Sequence, residues 1–231
     1  MVAKTLILAL FNSIYAFLAF IYILASQMSV FTEKVGYRPA GSKKTTALTH
    51  EQFEFILDEF RQKADFRMES ICLLMGRCIR IGDVLTSLKI DSVYGPAGEV
   101  HGEISFQEQK TGKPRLIRTN NSPRLLEALA GYFPSIREFP RNRPLFYGLK
   151  TCEPLHDKGV KFLLAPFVGK IGIRQCSPHS FRKYGAKRLW LQGIEIETIS
   201  QILNHSSVKE TRVYLDIQPK EVERAMSMLE L

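Results

Sequence analysis

The hydrophobic pattern divides the chain into an uncharged, mainly apolar run, a short polar stretch and a long region of mixed periodicity. From Thr5 to Ala25 no residue is charged, and the run is long enough to cross a bilayer as a helix. Lys4 precedes it, and Lys34, Arg38, Lys43 and Lys44 follow. That excess of positive charge after the run would leave the rest of the chain in the cytoplasm. Three readings fit residues 1–30: a membrane helix in contact with lipid through residues 5–25, a cleaved signal peptide, or the remnant of a mis-started or truncated chain. The third is preferred. Residues 31–47 read as a linker, because Gly36–Ala47 is polar and holds Gly, Pro, Ser, Thr and Lys.

Helical spacing begins at residue 48. Thr49-His50-Glu51-Gln52 forms a capping box, and Phe53, Ile56, Leu57 and Phe60 follow on one helix face. Further helices are expected at Phe66–Cys78 and Asp83–Leu88. Lys89–Tyr94, Val100–Gln107 and Pro114–Thr119 alternate or carry β-branched residues, with turns at Gly95-Pro96-Ala97-Gly98 and Thr111-Gly112. These predict a small antiparallel sheet. From Ser122-Pro123 onward the pattern is mainly helical, over 122–133, 155–167, 178–192, 195–203, 207–214 and 219–230. The fold class is therefore α+β: one mainly helical domain over residues 48–231 with a small antiparallel β-sheet.

Charge and thiols change the picture in two ways. The net charge of +9 points to a polyanionic partner, nucleic acid or an anionic membrane, or else to an ordinary basic surface. The four cysteines, Cys72, Cys78, Cys152 and Cys176, form no Cys-x-x-Cys pair and no zinc-ligand spacing. They read as thiols in a reducing compartment, which argues against export, and no metal or cofactor is expected.

Candidate chemistry lies in the last third. In Pro178-His179-Ser180-Phe181-Arg182-Lys183, His179 and Arg182 stand three residues apart on one face near the start of a helix capped by Ser177. Arginine offers a planar fork of donors to a phosphate, and histidine can take or give a proton. Alone, this pair more often marks an ordinary solvated surface. Leu203-Asn204-His205-Ser206-Ser207 ends one helix and caps the next, and Tyr214 comes nine residues after His205. Alone, Tyr214 fits an ordinary amphipathic core position.

Together, His-x-x-Arg, Leu-x-His-Ser-Ser and the following tyrosine resemble the C-terminal half of the tyrosine recombinases of the phage-integrase type. Two upstream landmarks match as well. Arg80-Ile81-Gly82-Asp83-Val84-Leu85 resembles the family's Arg-Ile-x-Glu/Asp-Leu stretch, with Arg77 the competing candidate. Gln109-Lys110-Thr111-Gly112-Lys113 places Lys110 at the family's β-hairpin lysine. The resemblance covers about residues 48–231 and fills six positions in order: Arg80, Lys110, His179, Arg182, His205 and Tyr214.

The resemblance implies the tyrosine-recombinase catalytic fold and a site-specific DNA recombinase working through a 3′-phosphotyrosine intermediate, without metal or ATP. Tyr214 would attack the phosphate, Arg80 and Arg182 would clamp its non-bridging oxygens, and His179 would take the tyrosine proton. Lys110 would protonate the leaving 5′-oxygen, and His205 would hydrogen-bond a phosphate oxygen. Lys113, Arg115 and Lys183 are candidates for contacts to the DNA backbone. The implied partners are double-stranded DNA and further copies of the chain, assembled as a tetramer with the final helix docked on a neighbour. A type IB topoisomerase shares this chemistry, and a truncated DNA-binding remnant is the alternative that is no enzyme. The family also places a helical DNA-binding domain before the catalytic one. Only about 47 residues precede this catalytic region, so that half of the clamp is expected to be missing here.

Overall fold

Thr49 opens the first helix through the reciprocal cap its sequence predicts. Thr49 Oγ1 accepts the Gln52 N–H at 3.1 Å, and Gln52 Oε1 accepts the Thr49 N–H at 2.9 Å. The computed structural model describes residues 45–148, 152–172, 176–217 and 227. The hydrophobic run Thr5–Ala25, most of the linker and, but for residue 227, the helix expected over 219–230 lie outside them. In chain order the elements are α1 (His50–Gln62), α2 (Phe66–Gly76), α3 (Ile81–Thr86), α4 (Ile90–Val93), β1 (Glu103–Gln107), β2 (Pro114–Arg118), α5 (Pro123–Tyr132), a 3-10 turn (Phe133–Ser135), α6 (Asp157–Lys170), α7 (Pro178–Leu191), α8 (Ile196–Ile202) and α9 (Val208–Leu215). All belong to one unit, Lys44–Leu231. No helix among the described residues is long and apolar enough to cross a membrane.

The centre is α2, buried continuously from Arg67 to Met75. A helix enclosed on every side needs no polar face, and its sequence carries no amphipathic stripe. It packs against α1, α5 and α7. Its one buried acid, Glu69, is held by Arg61 of α1 and Arg124 of α5, each Nε donating at 2.9 Å. Pairing of this kind is what makes a buried charge tolerable.

The contact between α2 and α7 positions the site. A Cβ on Gly185 would lie 2.0 Å from the Gly76 carbonyl oxygen. The two helices therefore meet backbone to backbone, and only glycine allows it. A smaller core of Cys78, Ala186, Ile199, Leu203 and Leu215 joins α7, α8 and α9, with Trp190 and Tyr214 packed against it. Phe181 is fully buried in the main core.

The sheet departs from expectation. Lys89–Tyr94 is not a third strand: Ile90–Val93 is a helical turn, flanked by isolated bridges from Lys89 to Pro144 and from Tyr94 to Val100. Ser92 Oγ accepts the Lys89 N–H at 3.0 Å and donates to the Lys89 carbonyl at 2.7 Å, closing the turn locally. Ile90 and Val93 are both buried. Three-residue spacing puts them on one face of a helix, whereas a strand would send them to opposite faces. The sheet among the described residues is thus one antiparallel hairpin, with Glu103 opposite Arg118 and Gln107 opposite Pro114.

Candidate active site

Arg80 is the N-cap residue of α3, on extended backbone. Its Nη1 donates to Glu108 Oε2 at 2.7 Å and its Nη2 to the Leu203 carbonyl at 3.3 Å. Arg182 lies in the second turn of α7 and is almost fully buried. Its Nη2 donates to the same Leu203 carbonyl at 2.7 Å, while its Nε has no hydrogen-bond partner. Two guanidinium groups thus converge on one oxygen, at the negative end of α8. Arg77, the rival candidate for the first position, turns back on its own helix toward the Leu73 carbonyl at 3.4 Å.

After Leu203 the chain reverses through Asn204, whose φ of 51° is left-handed, a conformation asparagine tolerates better than most residues. His205 follows. Its Nδ1 lies 2.9 Å from Thr211 Oγ1 and its Nε2 lies 3.8 Å from Glu210 Oε1. Ser207 then caps α9, its Oγ accepting the Glu210 N–H at 3.3 Å. About two turns later α9 presents Tyr214, whose ring meets the His205 ring edge to face at 5.2 Å between centroids. The Tyr214 hydroxyl is buried and has no hydrogen-bond partner. Lys183 Nζ stands 5.4 Å from the centre of the same ring and 3.8 Å from Asp216 Oδ2.

Burial raises the Tyr214 pKa well above the ordinary phenol value, against the opposing charges of Arg182 and Arg80. The oxygen therefore stays protonated at neutral pH. Burial also lowers the pKa of His205; Glu210 opposes that shift, and Arg182, Arg80 and Lys110 add to it. The pKa of Arg182 is lowered by burial too, Tyr214 opposing and Arg80 adding.

Lys110 is exposed at the tip of the β1–β2 hairpin. The turn beside it is anchored by Asp83, whose Oδ1 accepts the Gln109 N–H at 2.8 Å. His179 is the exposed residue of the otherwise buried first turn of α7. The protein packed around it, then the charge of Arg182, lower its pKa. No hydrogen bond joins it to Tyr214. Ser177, at the N-cap of α7, makes no cap bond through its hydroxyl; instead its N–H donates to Ser180 Oγ at 3.2 Å.

Arg80, Arg182, His205 and Tyr214 thus form one cluster, with Lys110 and His179 at its margins. Of the three backbone candidates only Lys113 is exposed. Arg115 turns inward, donating to the Ile202 carbonyl and, at 3.2 Å, to the Arg77 carbonyl. Lys183 belongs to the surroundings of Tyr214.

One residue of the cluster escaped sequence reasoning. Glu108 is 1% exposed and accepts from Arg80 and, at 3.1 Å, from Thr111 Oγ1. Burial works to raise its pKa, but hydrogen bonds from Asn204 and Thr111 and the charges of Arg115 and Arg80 outweigh it, so the group is held below the usual carboxylate value. A signal existed: Ile104, Phe106 and Glu108 follow at strand spacing, and the first two are core residues.

Comparison with known proteins bears on the fold and the family. The XerA tyrosine recombinase of Pyrococcus furiosus is 27% identical over 165 residues, covering 70% of this chain and 54% of the relative. The XerC tyrosine recombinase of Nitrobacter winogradskyi is 26% identical over 149 residues, 64% of this chain and 44% of the relative. The chain spans about half the length of these curated relatives. A crystal structure of XerA recombinase matches the fold with a TM-score of 0.62 at 20% identity, over 84% of this chain and 66% of that one. The site-specific recombinase XerH, bound to a palindromic difH substrate in a post-cleavage complex, matches with 0.61 at 20% identity, over 84% and 56%. The model of the phage integrase family matches residues 46–221, three quarters of the sequence, and the chain belongs to that family.

Proposed function

We propose that this chain cleaves and rejoins DNA strands as a site-specific recombinase, through a covalent tyrosine–phosphate intermediate. The observation that carries the reading is the convergence of Arg80 and Arg182 on one oxygen, the Leu203 carbonyl, beside His205 and a buried tyrosine hydroxyl left without a partner. A phosphodiester carries negative oxygens of the kind such paired forks bind. Charge grows on those oxygens in the pentacoordinate transition state, so fixed guanidiniums stabilise it more than the ground state.

In the first step the Tyr214 oxygen attacks phosphorus, and the bond from phosphorus to the 5′-oxygen breaks. The tyrosine proton passes to a base. His179 suits that role, since its lowered pKa keeps it neutral and able to accept. The leaving 5′-oxygen takes a proton from Lys110, which the exposed hairpin can carry to the DNA. Rejoining reverses these transfers with a 5′-hydroxyl as nucleophile. One phosphate ester is exchanged for another, so no ATP is consumed.

Exchange between two duplexes needs several tyrosines, so the acting form is a homo-oligomer on double-stranded DNA, a tetramer. The palindromic substrate bound to XerH suits paired copies related by a twofold axis. Lys113 supplies a backbone contact that fixes register without reading sequence.

The test uses a pool of nicked duplexes with a randomised centre. Wild type should give adducts that survive detergent, with the tyrosyl peptide of Tyr214 attached to DNA. Tyr214→Phe removes only the attacking oxygen and should give none while binding DNA as before. Adducts from that variant, or none from wild type, refute the reading.

A further inference from the structure

We propose that Glu108 is a positioning residue for cleavage: its buried carboxylate sets the direction of the Arg80 guanidinium and ties it to the hairpin that carries Lys110 and to the turn that carries His205. This rests on the recombinase reading above and adds to it a residue outside the six matched positions.

Glu108 is fixed at both backbone and side chain. Its N–H donates to the Lys113 carbonyl at 3.0 Å, and its carbonyl accepts the Gly112 N–H at 2.8 Å, closing the hairpin tip. Its Oε2 accepts from Arg80 at 2.7 Å and from Thr111 at 3.1 Å, and its Oε1 lies 3.8 Å from Arg115 Nη1. Asn204, the neighbour of His205, helps to hold the pKa of this carboxylate down. Segments distant in sequence therefore meet on one rigid anion.

Arg80 needs such an anchor more than Arg182 does. Arg182 is 4% exposed and holds Leu203 at 2.7 Å. The Arg80 side chain is 19% exposed, and its bond to Leu203 is 3.3 Å long. Without Glu108, that longer bond is left to hold the guanidinium. A charge-assisted bond is about twice as strong as a neutral one, so Glu108 sets the orientation. It does so without consuming the fork. A guanidinium has five N–H donors, and Arg80 gives one to Glu108 and one to Leu203.

An anion beside the phosphate-binding arginine also has a cost, because it offsets part of the attraction to DNA. That opposition gives a signature which simple structural support lacks. Glu108→Gln keeps the shape and removes the charge. Adduct formation at saturating DNA should then slow by about tenfold to a hundredfold, the penalty of a misdirected group. Half-saturation by DNA should hold or tighten, because one negative charge is gone. In an Arg80→Lys background the same change should cost much less, since the fork it directs is absent.

The measurement uses the full chain and the randomised nicked duplexes, with rate and half-saturation read separately. Equal losses in rate and binding overturn the proposal, as does an unchanged or faster rate. Undiminished cost in the Arg80→Lys background also overturns it. Side-chain nitrogen NMR of the DNA-free protein gives a second readout. The Arg80 signal, identified by its loss in Arg80→Lys, should show restricted guanidinium rotation in wild type and free rotation in Glu108→Gln. If wild type forms no adduct, the recombinase reading fails, and this spectrum alone decides Glu108: restricted rotation in both proteins refutes its role.

Discussion

Gly185→Ala should harm this protein, although alanine is the better helix former. In an exposed helix the exchange gains up to ~1 kcal/mol. Here the new methyl would stand 2.0 Å from the Gly76 carbonyl oxygen, 2.9 Å from its carbon and 3.1 Å from Cys78 Sγ. Two of these three atoms are backbone of α2, which has no rotamer to yield. The helices must part by more than an ångström at this point to reach ordinary contact. Overpacking of a core costs ~1–3 kcal/mol, and a backbone clash belongs at the upper end, so the propensity gain is overwhelmed. A net loss of about 2 kcal/mol lowers the melting temperature of a domain this size by roughly 4–8 °C. Arg182 lies one turn before Gly185 and moves with α7. Its 2.7 Å bond to Leu203 lengthens, and a misplacement near an ångström costs about a hundredfold in rate. Urea unfolding of the full chain measures the first effect, and adduct formation the second. Gly169→Ala in α6 is the control, since nothing lies within 4 Å of a methyl there; it should hold or gain stability. A Gly185→Ala protein as stable and as fast as wild type would refute the argument that this crossing sets the site.

Arg182→Lys keeps the charge but loses the planar fork; cleavage should fall by about a hundredfold or more, with DNA affinity within about twofold, as read by adduct rate and binding titration. For His205 the folded pKa lies below the ordinary value of 6.5, so below that pH the unfolded chain binds the extra proton first. Stability should therefore be full above about pH 6.5 and fall as pH drops toward the lowered folded value. The decline should be shallower in His205→Gln, and an equal slope in both proteins contradicts the assignment. Cleavage should also persist in excess EDTA, because Arg80 and Arg182 supply the positive charge at phosphate; an absolute Mg²⁺ requirement would contradict the mechanism.

The sequence determined whatever depends on residues a few positions apart. Thr49 and Gln52 cap α1 reciprocally, three residues apart. Phe53, Ile56, Leu57 and Phe60 share a face because the helix repeat puts them there. Each motif from Arg80 to Tyr214 is only a few residues long, so its order along the chain can be read locally. Local reading failed at Lys89–Tyr94, where β-branched residues suggested a strand. Burial of Ile90 and Val93 on one side, with Ser92 closing on Lys89, made a helical turn instead. It failed again at Glu108, a charged residue that strand spacing assigns to the interior and ordinary expectation to the surface.

Only the tertiary structure decided that Arg80 reaches across 123 positions, and Arg182 across 21, to the same Leu203 oxygen. It also decided that Arg115 is spent on internal carbonyls while Lys113 faces outward. Hydrogen bonds between distant segments follow from how helices cross, and the crossing of α2 with α7 depends on Gly185 having no side chain at one point of contact. A local pattern names the residues that can do chemistry, but their directions are set by packing summed over the whole core.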